Sequence, residues 1–372
     1  MKVLISPVVL PEFRVDLYNR LNNDFALEVV VAHGTSSMPV FAGKQAKKFR
    51  EIRLENKEFH FAGFSFVWQK GLLREVLSGS YDVFLPQGNF GVLSNYPILL
   101  IRWLRGKKNI VWMCAYERPE VSFGIKKKIR NKVSSLVLKL FHGSVAYSSH
   151  AKEYLVSRGM PVERIRVIGN TVDVNSLHEK VAKLEKQVCR EELGLQGDVI
   201  LFVGKLTAAK KIELLLYALK ELIDGDCGDV TLVLLGDGPV RANLEALSYD
   251  LGVSDHVRFE GVVIDGKEKY FRAATVAVMP GSGGLFINDC MASGLPIILS
   301  YSDGTHFDLI EDKVTGVLFE RDNEKDLAKK ISMLLADEML RNRIASQAMR
   351  LILDKYTIDR MAENFNQALM EL

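Results

Sequence analysis

Two stretches in the second half of the chain combine residue types that suit a phosphate. The first is Phe202-Val-Gly-Lys-Leu-Thr-Ala-Ala-Lys-Lys211, an apolar run ending on Gly204 and followed by Lys205 and Lys210. A glycine there lets backbone approach a ligand, and open α/β sheets bind ligands at loops leaving the carboxyl ends of strands. Lysines at the start of the following helix oppose its dipole, so two of them are hard to explain without an anion; the alternative is a solvated helix N-terminus. The second stretch is Met279-Pro-Gly-Ser-Gly-Gly-Leu-Phe-Ile-Asn-Asp-Cys-Met-Ala-Ser-Gly-Leu-Pro296. Ser282, Gly283, Gly284 and Leu285 would offer backbone N–H groups where a helix begins near 284 or 285. Asp289, about one turn into that helix, is placed to accept hydrogen bonds from a ribose diol. One glycine-rich turn is weak, since tight turns need glycine anyway. Two such loops on one sheet could grip a diphosphate from two sides.

The elements needed to hold these loops are legible as alternating strands and helices. Apolar strand candidates fall at 3–5, 27–31, 83–85, 110–113, 143–147 and 166–168, with helical patterns at 14–21, 71–77, 93–104, 125–141 and 151–158. A polar Lys/Glu-rich stretch at 174–196 interrupts the pattern. A second alternation follows, with strands at 199–203, 230–235, 257–259, 276–279 and 297–300, and a covering helix at 211–223 whose Ile212, Leu215, Leu216, Leu219 and Leu222 form one stripe. Such alternation predicts mostly parallel sheets covered on both faces, in two Rossmann-like α/β domains. The expected boundaries are 1–174 with a returning helix at 356–372, and 175–355.

Length and composition agree. The chain has 372 residues, which suits two domains, and its 48% hydrophobic and 26% charged content excludes disordered, collagen-like and coiled-coil classes. Cys114, Cys189, Cys227 and Cys290 lie far apart, which excludes a C-x-x-C metal or redox site and predicts a reducing cytoplasm. No apolar run reaches 18 residues, and the N-terminus meets Pro7 and Glu12 too early for a signal peptide. The net charge of +3 hides an asymmetry: residues 1–185 hold 28 basic and 16 acidic side chains, and the remainder holds 21 and 30.

With these motifs in order, residues 199–320 resemble the donor-binding domain of GT-B glycosyltransferases, and most closely the retaining family numbered four, the group 1 glycosyltransferases. Residues 202–213 are similar to its F-V-G-R-L-x-x-x-K-G motif, with Lys205 on the arginine and Lys210 on the lysine. Leu235-Gly-Asp-Gly-Pro239 resembles its G-D-G-P turn. Val257-Arg-Phe-Glu-Gly261 resembles its V-x-F-x-G, whose following backbone, here Val262 and Val263, holds the nucleotide base. Asp289-Cys-Met-Ala-Ser-Gly-Leu-Pro296 resembles its E-A-M-A-x-G-x-P, and residues 311–318 its E-D-x-x-T-G-x-L. The first half matches more loosely, through Pro11-Glu-Phe-Arg-Val-Asp-Leu-Tyr18, Ala146-Tyr-Ser-Ser-His-Ala-Lys-Glu-Tyr154 and Val167-Ile-Gly-Asn-Thr-Val-Asp173. Two features depart from the family pattern. Its two acids stand eight positions apart; Asp289 takes the second, but Gly281 occupies the first, whose acid contacts the donor sugar in relatives. A histidine common on the N-domain loop is missing from Trp112-Met-Cys-Ala-Tyr-Glu-Arg118, where Glu117 or Tyr116 is the candidate to replace it, unless Glu117 simply pairs with Arg118.

The resemblance implies a two-domain GT-B fold with a cleft and a C-terminal helix crossing back to the first domain. It implies a hexosyltransferase moving a sugar from a UDP- or GDP-linked donor to an acceptor hydroxyl, with retention of configuration and no cofactor. The leaving diphosphate would be neutralised by Lys205, Lys210 and the amides at 284–285, worth about 2–4 kcal/mol each if oxyanion-type magnitudes transfer. No HEXXH or His/Cys cluster predicts a metal. Residues 101–150 hold 11 basic and 2 acidic side chains, including Arg102, Arg105, Lys107, Lys108 and a run at 126–132. The segment 124–141 reads as a basic amphipathic helix, which predicts contact with an anionic membrane surface through 102–139 at the inner face of the plasma membrane; the alternative is a core helix with a solvated face. Nucleic acid fits less well, since no aromatic-interleaved basic motif accompanies the patch. The expected acceptor is a lipid-linked glycan or polysaccharide, in bacterial surface polysaccharide or lipopolysaccharide biosynthesis. The competing reading is a degenerate GT-B protein that binds nucleotide sugar or glycan without transfer. An epimerase or phosphorylase of the same fold lacks support in the residues.

Overall fold

The computed structural model describes residues 1–35, 45–61, 64–114, 125–225, 229–300 and 303–372, with residues 125–130 described by their backbone alone. The chain divides into two compact units, Met1–Asn170 with Ile358–Leu372, and Thr171–Thr357. The apolar pattern predicts a joint at 174/175. The structure sets it four residues earlier, because Val172 and Val174 pack into the core of the second unit.

The first unit is an eight-stranded sheet of β1 (Lys2–Ser6), β2 (Glu28–Gly34), β3 (Arg50–Phe61), β4 (Phe64–Lys70), β5 (Val83–Pro86), β6 (Lys108–Met113), β7 (Gly143–Ala146) and β8 (Ile165–Val167). The spatial order is β4-β3-β2-β1-β5-β6-β7-β8. The inner strands are short apolar runs because helices cover both faces. Alternate residues feed opposite layers: Val3 and Ile5 face the helices Val15–Asn23 and Ile358–Glu371, whereas Leu4 faces the helices Leu72–Ser78, Asn95–Leu104, Ile125–Leu138 and Ser149–Ser157.

The C-terminal helix Ile358–Glu371 buries Ile358, Met361, Ala362, Phe365, Ala368 and Leu369 in this unit, and the Phe365 ring lies 5.0 Å from Trp112. Arg14 pins the same region. Its buried guanidinium lies over the rings of Phe13, Trp112 and Tyr147 at 5.0, 5.5 and 5.1 Å and donates to the Asn170 side chain.

Strands β3 and β4 have no counterpart in the apolar pattern, which places no strand between 31 and 83. The first half of β3 pairs parallel with β2, and its second half pairs antiparallel with β4 from Glu55↔Lys70 to Phe61↔Phe64. Most side chains of this edge hairpin are exposed, so its sequence carries no apolar run for periodicity to detect. Gln69 ties its base to the sheet, accepting from Ser6 Oγ at 3.2 Å and donating to the Pro7 carbonyl at 3.2 Å.

The second unit is a six-stranded parallel sheet of β9 (Asp198–Val203), β10 (Val230–Leu235), β11 (Val257–Gly261), β12 (Val276–Met279), β13 (Ile297–Leu299) and β14 (Val317–Leu318), ordered β11-β10-β9-β12-β13-β14. The stretch expected to interrupt the pattern at 174–196 instead forms the helices Val174–Ala182 and Lys186–Leu193. Val174, Leu177 and Val181, spaced for one face of the first helix, and Cys189 on the second are buried in the core, while Lys and Glu fill the outer faces and mask them in the composition. Asp173 caps the first of these helices, accepting the Ser176 N–H at 3.0 Å.

Candidate functional site

The strand order of the second sheet locates its crevice. From β9 the chain builds outward to β10 and β11; it then returns to the other side of β9 and builds β12, β13 and β14. The order therefore reverses between β9 and β12, and in open α/β sheets the carboxyl ends of such a pair open a crevice. The two motifs sit there. The Lys205/Lys210 loop leaves β9, and the glycine-rich loop leaves β12.

The two loops are bonded to each other. The Ser282 N–H donates to the Ala209 carbonyl at 2.9 Å, and Ser300 Oγ holds the Pro280 carbonyl at 2.8 Å. Below them the Phe202 ring on β9 lies 6.2 Å from Phe286, the first residue of the helix Phe286–Ala292. The contact at Gly281 is close enough that any side chain would have to displace backbone. A Cβ there would fall 2.5 Å from the Ala209 carbonyl oxygen and 2.6 Å from the Lys210 carbonyl carbon. The absence of an acid at this position is thus a matter of backbone packing as well as of residue type. Gly236 fulfils a similar need at the end of β10, where φ is +141° and a Cβ would lie 1.9 Å from the Gly204 carbonyl oxygen.

Three lysines on the β9 loop have distinct surroundings. Lys205 is exposed. Lys210 is half-buried, and its Cε lies 3.9 Å from the point where Gly204 would carry a Cβ. Burial lowers the pKa of the Lys210 ammonium below the usual lysine range, and the Asp303 carboxylate works against that shift. Lys211 closes the turn in the left-handed region at φ 51° and pairs with Asp322. Lys210 is thus the cation placed between the two loops, and an anion in the crevice would offset its desolvation.

Asp289 is largely buried in the helix Phe286–Ala292, and its Oδ2 accepts from Lys267 Nζ at 3.2 Å. Burial raises the carboxyl pKa and Lys267 opposes the rise. The sequence offers no signal for Lys267, which the chain supplies from the helix Lys267–Ala273. Val262 and Val263 follow β11; Val262 is exposed and Val263 packs on the core. The amides of Gly283, Gly284 and Leu285 precede the seven-residue helix Phe286–Ala292, too short to add much macrodipole. Glu117 and Tyr116 lie outside the described residues.

One acid that the motifs do not single out also borders the site. Asp303 Oδ2 lies 4.0 Å from the point where Gly284 would carry a Cβ. Its only sequence signal is its place shortly after an apolar strand. Among the described residues, no group of three or more His, Cys, Asp or Glu side chains is arranged to hold a metal ion.

In the first unit, the helix Asn95–Leu104 leaves Leu100, Trp103 and Leu104 exposed, the last at 69%, and the helix Ile125–Leu138 leaves Val133 and Leu136 exposed. Arg105, Lys107, Lys108, Lys132 and Lys139 are exposed beside them in sequence. Arg102, expected in the same basic patch, is instead buried. Its guanidinium donates to the carbonyls of Tyr81, Asp82 and Lys108 at 3.2, 3.1 and 3.0 Å and to Asn109 Oδ1 at 3.2 Å. It closes strand ends from inside and is not available to a surface. Among the described residues no helix is long and apolar enough to cross a membrane.

Comparison with known proteins follows the same division. Residues 167–351 match the family model of glycosyl transferases group 1. A glycosyltransferase of Methanocaldococcus jannaschii, MJ1607, is 32% identical over 209 residues, covering 55% of this chain and 53% of the relative. The lipopolysaccharide core biosynthesis glycosyltransferase LpsE of Rhizobium meliloti is 29% identical over 187 residues, covering 49% and 53%. The matched segment thus spans about half the length of these curated relatives. Among solved structures, HepE of Anabaena in complex with UDP superimposes with a TM-score of 0.77 at 18% identity, covering 100% of both chains.

Proposed function

Residues 167–351 form a group 1 glycosyl transferase domain in a chain of GT-B fold, and from that premise we propose that the protein transfers a hexose from a nucleotide diphosphate sugar to an acceptor hydroxyl. The observation that carries this reading is the half-buried Lys210 between two bonded loops at the strand-order reversal. A diphosphate leaving group needs charge neutralisation as the anomeric carbon takes on oxocarbenium character. Lys210 supplies it from within the crevice, Lys205 from its rim, and the amides of Gly283, Gly284 and Leu285 from the opposite loop. The backbone at Val262 and Val263 would hold the base, and Asp289, oriented by Lys267, the ribose. The UDP complex of HepE supports a uridine nucleotide as the first donor to try.

The acceptor is assigned to the first unit, and the reaction to retention of configuration. The name of LpsE and the exposed apolar and basic side chains of the first unit support a lipid-linked or polysaccharide acceptor reached from an anionic membrane surface. A cytoplasmic enzyme resting on the inner face of the membrane fits that supply. The test is incubation of the full chain with UDP- and GDP-sugars and a panel of lipid-linked acceptors, following release of free nucleotide and the anomeric configuration of the product. Acceptor-dependent release with a retained anomeric centre is expected. Tight donor binding with no release across the panel would make the protein a nucleotide-sugar binder and overturn the transfer reading.

A further inference from the structure

A third loop brings a carboxylate to the donor crevice. Strand β13 lies next to β12, and Asp303 stands on the loop that leaves it. Its own turn fixes the carboxylate, with Oδ1 accepting the Thr305 N–H at 3.1 Å and Thr305 Oγ1 at 2.6 Å. Oδ2 lies above the glycine-rich loop, 4.0 Å from the Cβ point of Gly284. Its charge also acts on the Lys210 ammonium from across the loop. The glycine-rich loop carries no acid at 281, and a side chain there would have to displace the backbone of Ala209 and Lys210. With Asp289 held by Lys267 in the helix beyond, a carboxylate at the mouth of this loop is supplied by a neighbouring loop.

We propose that Asp303 is the carboxylate that receives the donor's sugar hydroxyls and, in doing so, selects a nucleotide sugar over the bare nucleotide. The inference rests on the donor reading given above. A diphosphate gripped by Lys210 places the sugar's anomeric carbon one oxygen beyond its second phosphorus. Sugar hydroxyls are donors, and an ionised carboxylate only accepts, so the two are complementary. The same carboxylate repels a diphosphate that arrives without its sugar, since like charges at short range oppose each other. Asp303 should therefore favour the sugar-bearing ligand and disfavour the product nucleotide, which also speeds product release.

The experiment compares UDP, UDP-glucose, GDP and GDP-mannose by calorimetric titration of the full chain, wild type against Asp303→Asn and Asp303→Glu. Wild type is expected to bind at least one sugar nucleotide. Asp303→Asn should bind the matching bare nucleotide equally or more tightly, yet lose more than about tenfold in affinity for the sugar nucleotide, the size of one charge-assisted hydrogen bond. Asp303→Glu should recover part of that loss. An Asn variant unchanged on both ligands, or weakened equally on both, would overturn the role of Asp303 while leaving the donor reading intact. A folded wild type that binds none of the four would overturn the donor reading and this inference together.

Discussion

Lys210 and Lys211 are adjacent residues with opposite fates. Lys210 is half-buried and loses part of its hydration, while Lys211 takes a left-handed backbone and pairs with Asp322. Motif order puts Lys210 on the loop after the strand, but its burial and the charge of Asp303 beside it depend on a strand about ninety positions away in sequence, which no local pattern encodes. Gly281 is the converse case. Its lack of an acid is plain in the sequence, yet the reason, contact with the Ala209–Lys210 backbone, is visible only in three dimensions. A single methyl there must push that backbone aside. Gly281→Ala is therefore expected to destabilise the protein by about 1–3 kcal/mol, as overpacking does, and to disturb the Lys210 loop along with it. A thermal melt and a nucleotide titration check this; an unchanged melting temperature would show that the two loops are not in close contact.

At the scale of elements, buried strands were legible because covered parallel strands are continuous apolar runs, and Val230–Leu235 falls where periodicity puts it. What escaped had mixed surfaces. The β3–β4 hairpin is exposed on most positions, and the helices Val174–Ala182 and Lys186–Leu193 hide one buried face behind charge. The helices Asn95–Leu104 and Ile125–Leu138 show the opposite pattern, apolar side chains left outside although both helices have buried faces in the same core layer. Trp and Leu beside lysines suit a bilayer interface, where the rings and alkyl groups enter and the cations meet anionic headgroups. Replacing Lys107 and Lys108 together with Gln is expected to weaken binding to anionic vesicles by about 30-fold at low salt, at roughly 1 kcal/mol per charge. Trp103→Ser with Leu104→Ser should weaken it at every salt concentration. Vesicle sedimentation that is the same for wild type and both double variants would remove the membrane from the account.

For the molecule as a whole, the net charge of +3 conceals a first half with an excess of basic residues and a second half with an excess of acidic ones. The proposed donor crevice lies in the acidic half. A phosphate site there cannot rely on a general positive field and has to be local, built by one half-buried lysine, one exposed lysine and a row of backbone amides. The whole functional reading turns on that local site, and titration of UDP and GDP into wild type and Lys210→Ala tests it most directly. Wild type should bind at least one of the two saturably, and the variant should lose more than about tenfold in affinity, as expected for removal of a buried charge-assisted contact. Binding should also weaken as pH rises toward the lowered Lys210 pKa, earlier than for an ordinary lysine, because the diphosphate needs the protonated ammonium. Equal affinity in wild type and Lys210→Ala at all pH values would contradict the account.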